Sequence, residues 1–311
     1  MDTILVTGAL GQIGSELTPT LRDRYDDVEV IASDIKPDPG VSPPYETVDV
    51  TDRSQIEAVV EKYDVDTVFH LAALLSAAGE QNPDRAFEIN VGGLHNVLEV
   101  GRAYDLDRIV IPSSIAVYGP ATPDNPSERT IQSPTTMYGI TKVLAENLGT
   151  YYHQKYDLDV RGIRLPGIVS HKTRPNGGTT DYAVDAFYEA VSEGEYTYFV
   201  REDTRLPMVY MSDAINALIA LAEADESDLR FQCEYNISAL SFTASELSER
   251  IEEQIDGFDA RYDPDERQSI ADSWPSTLDD TAARSDWGWS AEYDLDRMVD
   301  EMVHNLRQRP E

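Results

Sequence analysis

Along most of the chain, short runs of β-branched and aliphatic residues alternate with longer segments whose apolar positions recur at helical spacing. Thr3-Ile-Leu-Val-Thr7 is apolar through its middle and predicts a strand buried on both faces, as in a parallel sheet. Ser15–Arg24 then predicts an amphipathic helix and Val28–Ser33 a second strand. Further strands are predicted at Glu46–Val50, Thr67–Ala73, Arg108–Ser114 and Asp159–Leu165, with helices at Ile56–Tyr63, Pro83–Tyr104 and Pro134–Tyr156. Six strands alternating with helices predict an α/β fold, a doubly wound parallel sheet that binds ligands at the carboxyl ends of its strands.

From about Asp181 the pattern is more mixed. Ala183–Glu193, Asp213–Glu223, Ala244–Gln254 and Leu295–Arg307 read as helices, with short strands near Tyr196, Tyr235 and Arg261. Residues 1–180 are therefore expected to form a nucleotide-binding domain. Residues 181–311 would form mainly a smaller substrate-binding lobe, with an approximate boundary and a chain that can cross between lobes more than once. The segments Lys36–Pro44, Gly119–Pro134 and Ser170–Asp181 are rich in proline, glycine and hydroxyls. The last two are too long for simple connections, and loops of that kind commonly carry function.

The turn after the first strand is Gly8-Ala-Leu-Gly11-Gln-Ile-Gly14. Glycines at this spacing let the backbone approach a pyrophosphate that rests on the following helix N-terminus. Asp34 closes the second strand, twenty residues after Gly14, where an acid accepts hydrogen bonds from an adenosine ribose and repels a 2′-phosphate. Strand, glycine loop, helix, strand and acid together predict a dinucleotide site that takes NAD rather than NADP.

Tyr138 and Lys142 are one helical turn apart, so the ammonium group can sit beside the phenol. A cation there favours the phenolate and moves the tyrosine toward the range in which it exchanges protons with an alcohol. Ser114 ends a strand upstream and supplies a hydroxyl for the same substrate oxygen. Pro166 ends the strand after the Tyr138 helix, so these groups are expected to converge where a nicotinamide would lie.

Fifty-eight acids against twenty-five bases give a net charge of −33, a field that repels nucleic acid and anionic membranes. Cys233 is the single cysteine, so no intrachain disulfide can form, and a buried structural role in a reducing cytoplasm is expected. The five histidines are scattered without metal-ligand spacing; His70 lies in an apolar strand and is expected in the core, and no metal is predicted. No apolar run approaches membrane-spanning length and no export signal is legible, so a soluble, unexported protein is expected.

Gly8/Gly11/Gly14, Asp34, Ser114 and Tyr138/Lys142 together resemble the extended short-chain dehydrogenase/reductase superfamily, the Rossmann-fold group of the sugar-nucleotide epimerases. More narrowly, Leu71–Ser76, Pro166-Gly-Ile168, Gly178–Ala183, Leu206–Met211, Ala271–Pro275 and Trp287–Asp296 resemble the short-chain type of L-threonine 3-dehydrogenase. The resemblance implies oxidation of the L-threonine 3-hydroxyl by NAD to 2-amino-3-oxobutyrate, with Tyr138 as base, Lys142 supporting it and Ser114 holding the alcohol oxygen. It implies cofactor contacts from Gly8, Gly11, Gln12, Ile13, Gly14, Asp34, Asp49 and Val50. Others would come from Leu71, Ala72, Ala73, Tyr138, Lys142 and Pro166. Substrate contacts would come from Ser76, Ser114, Tyr138, Thr179, Thr180 and Trp274. It also implies a homodimer and metabolic coupling to a CoA-dependent lyase acting on the product.

Two other functions use the same framework. A nucleotide-sugar epimerase or dehydratase shares the Ser/Tyr/Lys set but usually grips its diphosphate with an arginine where this chain aligns Leu206, next to Arg205. A non-catalytic NAD-binding regulator commonly lacks the tyrosine or the lysine, and both are present here. The charge carries a separate expectation, a halophilic source. At ~1 M salt the Debye length falls to ~3 Å, which screens the self-repulsion of so acidic a chain. Thermal stability and activity should therefore rise from millimolar to molar salt; values undiminished in millimolar salt would count against salt adaptation.

Overall fold

The first apolar run, Thr3–Thr7 (β1), lies inside the main sheet of the computed structural model, which describes residues 1–37, 40–174 and 177–309. Asp38 and Pro39 of the proline-rich loop, and Pro175 and Asn176 of the segment 170–181, lie outside the described residues. The strands that follow are β2 (Glu29–Asp34), β3 (Tyr45–Thr47), β4 (Thr67–His70), β5 (Arg108–Ser114) and β6 (Val160–Leu165). Then come β7 (Gly167–Val169), β8 (Glu195–Tyr198), β9 (Arg205–Tyr210), β10 (Tyr235–Asn236), β11 (Leu240–Thr243) and β12 (Asp259–Tyr262). The main sheet has seven strands in the order β10-β6-β5-β4-β1-β2-β3, and every pairing in it is parallel. A three-stranded sheet, β11-β9-β7, and a two-stranded sheet, β12-β8, lie in the C-terminal part.

Successive residues of a strand face opposite layers, and the apolar run of β1 fills both. Ile4 and Val6 pack with Leu17 and Leu21 of the helix Gly14–Arg24 and with Leu218 of the helix Met211–Glu223. Leu5 packs on the other side with Val59, Val97 and Tyr152, from the helices Arg53–Tyr63, Leu94–Ala103 and Met137–Tyr156. A third core, including Phe187, Leu247 and Met302, is built by the helices Tyr182–Ser192, Ala244–Gln254 and Leu295–Arg307. No helix among the described residues is long and apolar enough to cross a membrane.

Three expectations are corrected. The main sheet has seven strands rather than six, because Tyr235–Asn236 returns to pair with Ile163 and Arg164 at its edge. The strands expected at Glu46–Val50 and Thr67–Ala73 end earlier, at Thr47 and His70. Thr7↔His70 is the last pair of β1 and β4, after which Gly8 turns the chain away and leaves Leu71–Ala73 without a neighbouring strand. The helix expected over Pro83–Tyr104 is interrupted by a wider π-turn at Glu88–Gly93. Within that turn, Asn90 accepts from Leu74 N at 2.7 Å and donates to Leu74 O and Thr141 Oγ1. An extra residue in a helical turn often marks a functional site.

Beneath the strand ends, β6 and the helix Met137–Tyr156 are joined by a buried ion pair. Arg164 Nε and Nη2 donate to the two carboxylate oxygens of Glu146 at 2.8 and 2.7 Å. Both side chains are almost wholly buried. The remaining capacity is satisfied: Ser113 and Gln132 donate to Glu146, and Arg164 Nη1 donates to Tyr118 Oη and to Glu128 O. A buried pair contributes little net stability over an apolar replacement, but removing one partner strands the other without solvation. Arg164→Ala should therefore cost ~3–5 kcal/mol in urea unfolding. A loss below ~1 kcal/mol, the scale of an exposed pair, would contradict this account.

Candidate active site

The carboxyl ends of β1, β5 and β6 open into a cleft with an empty volume of about 1030 Å³. Its floor is the glycine turn. Gly8 has φ +68°, and a Cβ there would stand 2.7 Å from Ala72 N, so a side chain is excluded on both conformational and steric grounds. Gly11 N donates to Gly8 O at 3.0 Å, and the helix from Gly14 starts directly behind, presenting its N-terminus to the cleft. Gln12 also lines the cleft, and its Nε2 is buried with no hydrogen-bond partner. A tight glycine turn, a helix N-terminus and an orphaned donor fit the pyrophosphate of a dinucleotide.

The helix Met137–Tyr156 brings Tyr138 and Lys142 against the end of β5. Thr136 caps it by accepting from Gly139 N at 3.0 Å. Gly139 permits close docking, since a Cβ there would stand 2.1 Å from Ala116 O in the turn that follows Ser114. The phenol of Tyr138 meets the Ser114 hydroxyl. Lys142 Nζ donates to Pro112 O at 2.6 Å and lies 5.5 Å from the Tyr138 ring centroid.

The electrostatics differ from the expectation of a phenol lowered by its lysine. Burial pushes the Tyr138 phenol up to about 12, with the Ser114 hydroxyl opposing the shift. Burial likewise lowers Lys142 to about 8, while Glu146 one turn on acts to raise it. Desolvation disfavours both charged forms, and the ammonium spends a hydrogen bond on a backbone carbonyl instead of on the phenol. His70 is buried, with Nδ1 2.8 Å from Thr7 Oγ1, and burial lowers it to about 3.

The cleft gathers most of the residues singled out in the sequence. Gly8, Gly11, Gln12, Ile13 and Gly14 line it, as do Leu71, Ala73 and Ser76. Ser114, Tyr138, Lys142, Pro166, Thr179, Thr180 and Trp274 line it as well. Ser76 Oγ and Thr179 Oγ1 approach to 3.5 Å, linking the start of the helix Ser76–Gln81 to a turn 103 residues further on. Four residues stand outside the lining. Asp34 accepts from Leu10 N at 3.2 Å beside the glycine turn, and Ala72 buttresses Gly8 from behind. Asp49 is engaged by Thr51, whose N and Oγ1 donate to it, and Val50 is packed into the core with Leu94 and Val97.

Leu75, Ile115, Gly178 and Asp181 line the cleft without having been singled out as site residues. Leu75 and Ile115 adjoin Ser76 and Ser114, so proximity to those motifs was the available signal. Asp181 reads in sequence only as the residue before a helix. Its carboxylate instead turns back, with Oδ2 accepting from Gly177 N at 3.0 Å and Gly178 N at 2.8 Å.

Comparison with known proteins agrees with this architecture. Residues 4–238 match the NAD dependent epimerase/dehydratase family. An uncharacterized epimerase/dehydratase of Staphylococcus haemolyticus is 45% identical over 316 residues, covering 99% of each chain. The holo form of a GalE-like L-threonine dehydrogenase from Cupriavidus necator superposes with a TM-score of 0.96 at 47% identity, covering 98% of this chain and 99% of that one. The apo form of a monomeric L-threonine 3-dehydrogenase from a metagenome gives 0.95 at 45% identity, with 98% of each chain covered. With a seven-stranded parallel sheet, a glycine cradle for NAD and the Ser/Tyr/Lys set at its strand ends, this chain belongs to the NAD dependent epimerase/dehydratase family.

Proposed function

We propose that the protein oxidises the 3-hydroxyl of L-threonine, giving 2-amino-3-oxobutyrate, with NAD as hydride acceptor. The observation that carries this reading is the makeup of the cleft. Ser114, Tyr138 and Lys142 share it with the glycine cradle and with Thr179, Thr180 and Trp274, while no arginine lines it among the described residues. A small zwitterion suits such a cleft; a sugar diphosphate, with the glycine cradle already taken by the cofactor, would lack an arginine fork to grip it. Arg205, the residue that could grip a diphosphate, pairs instead with Glu246 and donates to Ser241 O at 2.7 Å. Near-complete alignment with L-threonine dehydrogenases of known structure supports the same substrate.

NAD, when bound, would supply the hydride acceptor and a positive charge that favours the phenolate. Tyr138 takes the hydroxyl proton as the C3 hydride leaves, and Ser114 holds the alcohol oxygen in line with it. Lys142, anchored on Pro112 O, contributes the second positive charge that favours the phenolate. Asp34, held by Leu10 N beside the cradle, accepts from the adenosine ribose. Ser76 and the loop of Thr179 and Thr180 contact the amino acid, and Trp274 helps to close the site and exclude water.

The first test is NADH formation with L-threonine in molar salt, with L-serine and UDP-sugars run beside it. Turnover of a UDP-sugar with none of L-threonine would select the epimerase reading. Tyr138→Phe should lower turnover by ~10²–10⁴-fold while NAD affinity stays within about twofold. Residual activity near wild type would remove Tyr138 from the role of base. Because the base acts as phenolate, kcat/KM should climb through neutral pH and level off once Lys142 loses its proton at about 8. A profile that falls across neutrality would contradict this assignment. Asp34→Ala should narrow the NAD preference, read as the ratio of the two Kd values; an unchanged ratio would acquit the acid.

A further inference from the structure

Lys142 lines a second, smaller cavity besides the cleft, with an empty volume of about 290 Å³. Four polar side chains face it among apolar neighbours: His70, Asn90, Thr141 and Lys142. Asn90 is spent on Leu74 and on Thr141 Oγ1, and Thr141 Oγ1 donates to Tyr138 O at 2.7 Å. The other two have capacity left. An ammonium carries three N–H groups, and Pro112 O takes one of those on Lys142. His70 closes β4 and meets Thr7 Oγ1 through Nδ1 at 2.8 Å, while its Nε2 has no hydrogen bond among the described residues. No step of the reaction proposed above uses this histidine.

We propose that His70 is a positioning residue for Lys142: one water in this cavity accepts from the ammonium and donates to Nε2, which ties the lysine to β4 and keeps it charged. The inference rests on the role given to Lys142 above. The ammonium is buried, and a buried charge is costly unless its donors find partners. The cavity has room for a water and offers it two polar partners. The positive charge of Lys142 also selects the imidazole tautomer, with the proton on Nδ1 toward Thr7 and the lone pair on Nε2. Burial together with Lys142 holds His70 at about 3, so the ring is a neutral acceptor at neutral pH.

Burial lowers Lys142 to about 8. The groups that face it are Tyr138 and Glu146 on its own helix and His70 from β4, while Arg164 of β6 is committed to Glu146. An acceptor favours the ammonium, so its removal lowers the lysine further.

The test is a titration of Lys142, one of five lysines, by carbon NMR of the NAD-bound enzyme. In His70→Phe the lysine should titrate ~1 pH unit below wild type, the loss of one hydrogen bond to a charged group. In His70→Gln, whose amide oxygen can replace Nε2, most of that difference should be recovered. The pH at which kcat/KM levels off should fall with the lysine. A lysine that titrates alike in wild type and His70→Phe overturns the inference. So does a rate that drops with its pH profile unmoved, the mark of a merely structural role. Should His70→Phe fail to bind NAD, the wild type decides: nitrogen NMR should find the imidazole proton on Nδ1, and a proton on Nε2 overturns the inference. Wild-type inactivity toward L-threonine would instead overturn the underlying function, and the titration, which needs no turnover, would still decide on His70.

Discussion

The buried pairing of Arg164 with Glu146 is the constraint on which the site depends. Glu146 stands two turns after Tyr138 and one after Lys142 on the same helix, and Arg164 lies at the end of β6. Two charges this deeply buried are tolerable only when every donor and acceptor is satisfied, so the pair draws its surroundings together. Ser113 fixes the end of β5 next to Ser114, Gln132 and the Glu128 carbonyl fix the long loop, and Tyr118 passes the network on to Asn236 in β10. The positions of Tyr138, Lys142 and Ser114 thus follow from one electrostatic requirement met below them.

The floor of the cleft is set by a different kind of constraint, the absence of side chains. Backbone meets backbone at Gly8 and Ala72, and at Gly139 and Ala116, at separations that no Cβ would allow. One contact shapes the cradle for the cofactor; the other lets the helix that bears Tyr138 start against β5. Polar chemistry and steric emptiness are therefore complementary devices here, one pulling segments together and the other removing what would hold them apart.

Much of this was legible in the sequence, because parallel strands buried on both faces read as uninterrupted apolar runs and their carboxyl ends follow from chain direction. The glycine turn, Ser114, Tyr138, Lys142 and the Thr179/Thr180 loop were readable for the same reason, since each lies where a predicted element ends. Other features left no local trace. The π-turn at Glu88–Gly93 continues a helical stretch, and the contact of Asn90 with Leu74 that accompanies it is sixteen residues away in sequence. β10 is two residues long and is defined by its partner β6 rather than by its own pattern. The rise of the Tyr138 phenol reflects burial, a property of the assembled fold that the Tyr/Lys spacing does not report. Asp181 was hidden because a residue before a helix ordinarily caps it, whereas this one serves the turn behind it.

The passage from the main sheet to the C-terminal sheet is short on chain. β6 ends at Leu165 and β7 begins at Gly167, so Pro166 alone splices the two. Its ring fixes φ, which leaves that splice little torsional play. A second passage in the same direction, from β10 to β11, spans only residues 237–239. A swing of the β11-β9-β7 sheet as a rigid body would have to drag β6, and with it Arg164 and the helix that bears Tyr138. The two sheets are in this respect welded along the chain, each passage between them too short to let one turn far without the other.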